Sequence, residues 1–274
     1  MSSDAPVATR PGPTMTPEDL AALRTAVRLL EHPGLAARLT NLVGKPIDLI
    51  SSALPAAASR AIATATAKGL EAALKVALQT MQRTPHAGSQ LLHKALATAS
   101  GAAGGAFGLA TLPIELPVST IIMLRSIADI ARSEGEDLSE PEPALSCVQV
   151  FALGGRAGSV NASESGYFAA RGMLAKSVTE AARFIAERGV IEEGAPVLVR
   201  FIAQVASRFG IVVTQKIAAQ TVPVVGALGG AAVNYAFIEH FQEVARGHFT
   251  VRRLERVYGK TIVRTEYERL AQDH

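Results

Sequence analysis

The chain has 274 residues, 49% of them hydrophobic, with a mean hydropathy of +0.24 and a formal net charge of +3. A charge that small does not by itself imply nucleic acid as a partner, and none is expected. The single Cys147 excludes an intramolecular disulfide and fits a reducing compartment. Only 5% is aromatic and Trp is absent, so the apolar content is mainly Ala, Val, Leu and Ile. Alanine is the strongest helix former and no alternating strand pattern occurs. The expectation is an all-α fold: a compact multi-helix bundle with two glycine-rich apolar helical hairpins at its centre.

Residues 1–16 carry Pro, Ser and Gly without an apolar segment behind a basic one. They are expected to be a disordered tail rather than a secretory signal, which makes the cytoplasm the default location. One domain over residues 17–272 follows. Its first helix opens at Thr16-Pro17-Glu18-Asp19, with Thr16 as cap and two acids near the positive end of the helix dipole. Leu20, Leu23, Val27 and Leu30 form its stripe. Short helices follow through Leu35, Leu39 and Leu42, then over 47–54. Pro55 starts a long Ala-rich helix reaching about Arg83, with Ile62, Leu70, Leu74, Ala77 and Met81 inward.

A further helix from about Ser89 enters the first charge-free stretch, 95–114. Residues 112–117 are expected as a turn, with Pro117 starting a nearly all-apolar helix to Arg132. An acidic, Pro-containing loop spans 133–143. Helices then cover 144–153, 165–188 and 196–220. The second charge-free stretch, 217–238, feeds a helix through Val233, Phe237, Phe241 and Val244. A final amphipathic stretch from Thr250 to Leu270 is interrupted at Gly259.

The two charge-free stretches are the strongest functional signal. As helix, each would span roughly the 30 Å hydrocarbon core of a bilayer. Gly101, Gly104, Gly105 and Gly108 crowd the first, and Gly226, Gly229 and Gly230 the second. Glycine lets backbones approach closely, in lipid or in a soluble core, and both readings stay open. Glu115 and Arg125 lie in apolar surroundings, with Asp129 as a second partner for Arg125. They form a structural pair or a seat for an anionic head group. Arg252, Arg253, Arg256, Lys260 and Arg264 form a basic C-terminal row, either solvated or facing anionic lipid.

No catalytic, cofactor or metal residue is expected. Gly101–Gly105 lacks the Lys-Ser/Thr of a phosphate loop, and 154–158 does not match the dinucleotide fingerprint. Glu239, His240, Glu243 and His248 fall short of a metal-binding helix pattern. Cys147 sits in an apolar helix as an inert thiol.

Several blocks then carry a family resemblance: Glu115-Leu116-Pro117 into Leu124-Arg125-Ser126-Ile127-Ala128, Gly135-Glu136-Asp137-Leu138, and Val150 to Gly155. Val222 to Ala227 with Asn234-Tyr235 complete the set. In these the chain resembles the EcsC family, over about Lys45 to Leu254. That family takes its name from a protein encoded beside an ATP-binding-cassette transporter, and no activity is established for it. The resemblance implies a helical bacterial protein linked to membranes and supplies no catalytic residue.

The expected function is therefore non-enzymatic: association with an anionic membrane, a membrane transport complex or an apolar or lipid ligand, in the cytoplasm or peripheral on the inner face of the cell membrane. The alternative is a hydrolase assembled from scattered residues. A pocket joining a hydroxyl or carboxylate to a histidine would favour it.

Overall fold

The computed structural model describes residues 15–31, 34–80, 112–155, 166–188, 195–222 and 226–272. These described residues form ten helices and no strand. They are α1 (Pro17–Glu31), α2 (Leu35–Val43), α3 (Ile47–Ser52), α4 (Ala56–Thr80), α5 (Leu112–Ser133), α6 (Pro141–Gly154), α7 (Gly166–Arg188), α8 (Pro196–Gln220), α9 (Gly226–Tyr258) and α10 (Lys260–Gln272). The fold is an all-α bundle, and one buried hydrophobic cluster takes residues from Leu23 to Leu270.

Local chemistry sets many of the ends. The Asp19 amide donates to Thr16 Oγ1 at 3.1 Å and the Thr16 hydroxyl donates to Asp19 Oδ2 at 3.2 Å, which caps α1. Gly44 ends α2 with a φ of 68°, and Gly259 separates α9 from α10 with a φ of 88°. Only glycine adopts that backbone without strain.

The centre of the bundle is α6. Every residue from Ala144 to Gly154 is buried, because α4, α5, α7, α8 and α9 all pack around it. An apolar helix surrounded on all sides has no face left for charge. Phe151 from α6 meets Phe209 of α8 at 4.8 Å and Phe241 of α9 at 5.4 Å, ring centre to ring centre. Phe237 meets Phe241 edge-on at 5.2 Å. Each such pair adds about 0.5–1.5 kcal/mol to the burial of its rings.

Two expected boundaries change. Residues 112–117 are not a turn: α5 runs from Leu112 through Pro117. Pro117 is the sixth residue of α5, past the four amides that lack intrahelical partners, so it removes one i→i−4 bond within the helix. The C-terminal region is one helix from Gly226 to Tyr258, with no interruption before Thr250.

Among the described residues, three glycines outside the charge-free stretches stand where helices come closest. A Cβ on Gly155 would lie 2.6 Å from the Arg208 carbonyl carbon of α8. One on Gly154 would lie 3.0 Å from Phe241 Cδ1, and one on Gly247 2.6 Å from Leu30 Cγ of α1.

Candidate functional site

Glu115 stands in the first turn of α5, the positive end of its dipole, and Lys216 near the last turn of α8, the negative end. Each charge is placed where its helix favours it. The Lys216 ammonium donates to Glu115 Oε1 at 3.2 Å, with side chains only 2% and 11% exposed. It also lies 4.9 Å from the centre of the Phe237 ring of α9. Three helices therefore meet on one cation. Burial pushes the Lys216 ammonium below its ordinary range, and the Glu115 carboxylate opposes that shift. Asn234 is buried one turn before Phe237 on the same helix.

The position of this pair in the chain is the informative part. Glu115 is the first charge after the stretch 95–114, and Lys216 is the last charge before the stretch 217–238. The fold joins the two boundaries. The expected pairing with Arg125 does not occur. Ten residues of helix put Arg125 about 15 Å further along α5, and it is exposed. Asp129 instead pairs with Arg132 at 3.0 Å.

Gly101, Gly104, Gly105 and Gly108 lie outside the described residues, as do the surroundings of Gly226 and Gly229, which stand at the start of α9. Gly230 is half-buried, and a Cβ there would meet nothing within 4 Å. Nearby, Val118 of α5 is 46% exposed and Tyr235 of α9 is 44% exposed.

The EcsC protein family matches residues 18–254. The chain belongs to the EcsC family. No curated protein and no solved structure matches it. The matched span contains the Glu115–Lys216 pair and the Phe237 ring that faces it.

In this EcsC-family chain the basic C-terminal row is divided. Arg252 forks onto Glu136 at 2.8 and 2.9 Å and reaches Glu142 at 2.7 Å. Arg253 bridges Glu134 at 2.9 Å and Asp19 at 3.0 Å, and Arg256 also holds Glu136. The Arg252 guanidinium holds the Glu142 carboxyl below its ordinary value. These three arginines are occupied by acids at and between the ends of α5 and α6, so they are not a free cationic face. Lys260 is exposed, and Arg264 pairs with Glu268 at 2.7 Å.

A hydroxyl and a histidine do come together. The Tyr167 hydroxyl and His248 Nδ1 are 2.8 Å apart, and Arg171 beside them binds Glu255 through two contacts of 2.8 and 2.7 Å. Both rings are sealed in the core, at 1% and 0% exposure. Burial pushes the phenol up to about 12. Burial also lowers the imidazole, helped by Arg171 and Arg252. A neutral phenol closed off from solvent is no nucleophile. The other candidate ligands diverge: Glu239 accepts from the Tyr235 hydroxyl, His240 meets the Gly154 carbonyl, and Glu243 pairs with Arg38. Among the described residues no three metal-ligating side chains converge. The Cys147 thiol is buried and pushed up to about 12, chiefly by desolvation.

Proposed function

We propose that this EcsC-family protein is a non-enzymatic helical protein that associates with a membrane or a membrane transport complex, and that it does so through the end of the bundle where Glu115 and Lys216 pair. The observation that carries this is the Glu115–Lys216 pair, which ties the charged boundary of one stretch to the charged boundary of the other. A chain that only needed a soluble core would gain little by placing an ion pair there, because desolvation offsets most of the Coulomb attraction. Val118, three residues after Glu115 on α5, and the amphipathic Tyr235 of α9 are exposed, and a Cβ on Gly230 in the first turns of α9 would meet nothing within 4 Å. Tyrosine with a wet hydroxyl and an apolar ring suits a membrane–water boundary. One described helix, α8, is long and apolar enough to cross a membrane. Its exposed positions include the charged Arg200 and the polar Ser207, which suit water better than lipid.

Cell fractionation with a carbonate wash tests the proposal, together with flotation of purified protein on vesicles. Association is expected in both. A chain that stays in the high-speed supernatant of a low-salt lysate and never floats with vesicles rules the proposal out.

A further inference from the structure

Resting on that reading, we propose that Glu115 is a placeholder for an anionic lipid head group: away from a membrane its carboxylate occupies a seat on Lys216 that a lipid phosphate takes when the protein meets one.

The Lys216 side chain is 2% exposed, yet its ammonium has three N–H donors and finds one acceptor among the described residues, Glu115 Oε1, with the Phe237 ring facing it as an apolar counterpart. Glu115 Oε1 takes one of those three donors, and a phosphate brings several acceptor oxygens to the same cation. The two members are unequally held. Lys216 sits in the interior of the α8–α9 contact, whereas the Glu115 side chain keeps 11% exposure in the first turn of α5. A rotation of the Glu115 side chain carries its carboxylate to water, and the N-terminal helix dipole still favours it there. The exchange is anion for anion, so the buried site stays neutral and no proton need move. Phosphate oxygens accept from an ammonium as a carboxylate does. The ligand's chains would then lie along the apolar side chains at this end, among them Val118.

The test uses the full chain with vesicles of phosphatidylcholine alone or with phosphatidylglycerol. The wild-type protein is expected to prefer the anionic vesicles. Glu115→Gln removes the placeholder and keeps the shape, so its affinity for anionic vesicles is expected to rise about tenfold, a change of about 1.4 kcal/mol. Lys216→Met removes the seat, so binding should fall to the level seen with phosphatidylcholine alone. Circular dichroism and melting confirm that each variant is folded. If Glu115→Gln does not fold, Glu115→Asp weakens the placeholder by shortening it and should raise affinity by a smaller factor. Folded variants that bind like wild type overturn the placeholder while leaving membrane association standing. If neither wild type nor Glu115→Gln binds any vesicle, membrane association itself fails and the placeholder fails with it. Millimolar inorganic phosphate is the arm for a free anion. If it raises the melting temperature of Glu115→Gln while vesicles do not recruit that variant, the seat belongs to a soluble anion and the lipid assignment is wrong.

Discussion

Gly155→Ala isolates backbone packing from every other cause of destabilisation. Gly155 has a φ of −89°, which any residue adopts, so an alanine there meets no conformational penalty of its own. What it meets is the main chain of α8: the new Cβ would stand 2.6 Å from the Arg208 carbonyl carbon and 3.2 Å from Arg208 Cα. Backbone in the middle of a packed helix cannot turn aside as a side-chain tip can. Relief requires α6 and α8 to separate by several tenths of an ångström, which loosens the Phe151–Phe209 contact at 4.8 Å. Overpacking of this kind costs about 1–3 kcal/mol, and a rigid neighbour places the value near the upper end. For a domain of this size that corresponds to a fall in Tm of about 6–12 °C. Gly230→Ala is the matched control. It lies inside α9, and its Cβ would meet nothing within 4 Å. Alanine should therefore stabilise the helix by about 0.5–1 kcal/mol and raise Tm by about 1–4 °C. Differential scanning calorimetry of both variants decides it. Equal melting temperatures for Gly155→Ala and wild type would refute the account of α6–α8 contact.

The buried imidazole predicts a pH dependence. Because the folded pKa of His248 is lowered below 6.5, the unfolded chain takes up a proton that the folded chain refuses, and stability falls as pH drops below about 6.5. Between pH 6.5 and 5 the slope should approach, and not exceed, about 1.4 kcal/mol per pH unit, and His248→Gln should flatten it in urea titrations. Below that window the Glu142 carboxyl, held below 4.5, adds a second loss as it protonates. Arg252→Met leaves the Glu136 carboxylate, whose side chain is 2% exposed, with fewer partners and should cost about 3 kcal/mol by chemical denaturation. Arg264→Gln breaks an exposed i,i+4 pair with Glu268 and removes a guanidinium 5.4 Å from the Phe168 ring centre, and should change stability by about 1 kcal/mol or less in the same assay.

The helix inventory and several ends are legible in the sequence because their causes are local. Thr16, Gly44, Pro196 and Gly259 act through their own backbone and immediate neighbours. The centre of the bundle is less so, although its signal is present: the segment 144–154 is apolar on every side, and such a helix must be surrounded. The arginine row and the acidic loop are each visible, but neither alone shows what it meets. The usable clue is their complementarity, Glu134, Glu136 and Glu142 against Arg252, Arg253 and Arg256. Lys216 escapes notice because it sits inside an apolar run, and Glu115 invites a match with a neighbour in sequence. The pair closes over a separation of 101 residues, which no periodicity encodes. The charge that bounds an apolar stretch is nevertheless readable as a boundary.

The Arg252 cluster and the Glu115–Lys216 pair are built differently, and that difference separates stability from use. Around Arg252, the buried Glu136 accepts from both Arg252 and Arg256, so its carboxylate gains more than one charge-assisted hydrogen bond against its desolvation. Among the described residues Glu115 and Lys216 share one hydrogen bond and one ring face. An isolated buried pair of that kind roughly breaks even, and apolar replacements of both members are often neutral or stabilising by about 1–4 kcal/mol. The double variant Glu115→Leu/Lys216→Met should therefore remain folded, with Tm unchanged or raised. The same variant should lose the preference for anionic vesicles, since the cation on which α5, α8 and α9 meet is gone. A stable double variant that has lost this preference assigns the pair to recognition. A double variant that unfolds shows that the pair holds these helices together and that its place between the charge-free stretches serves the fold alone.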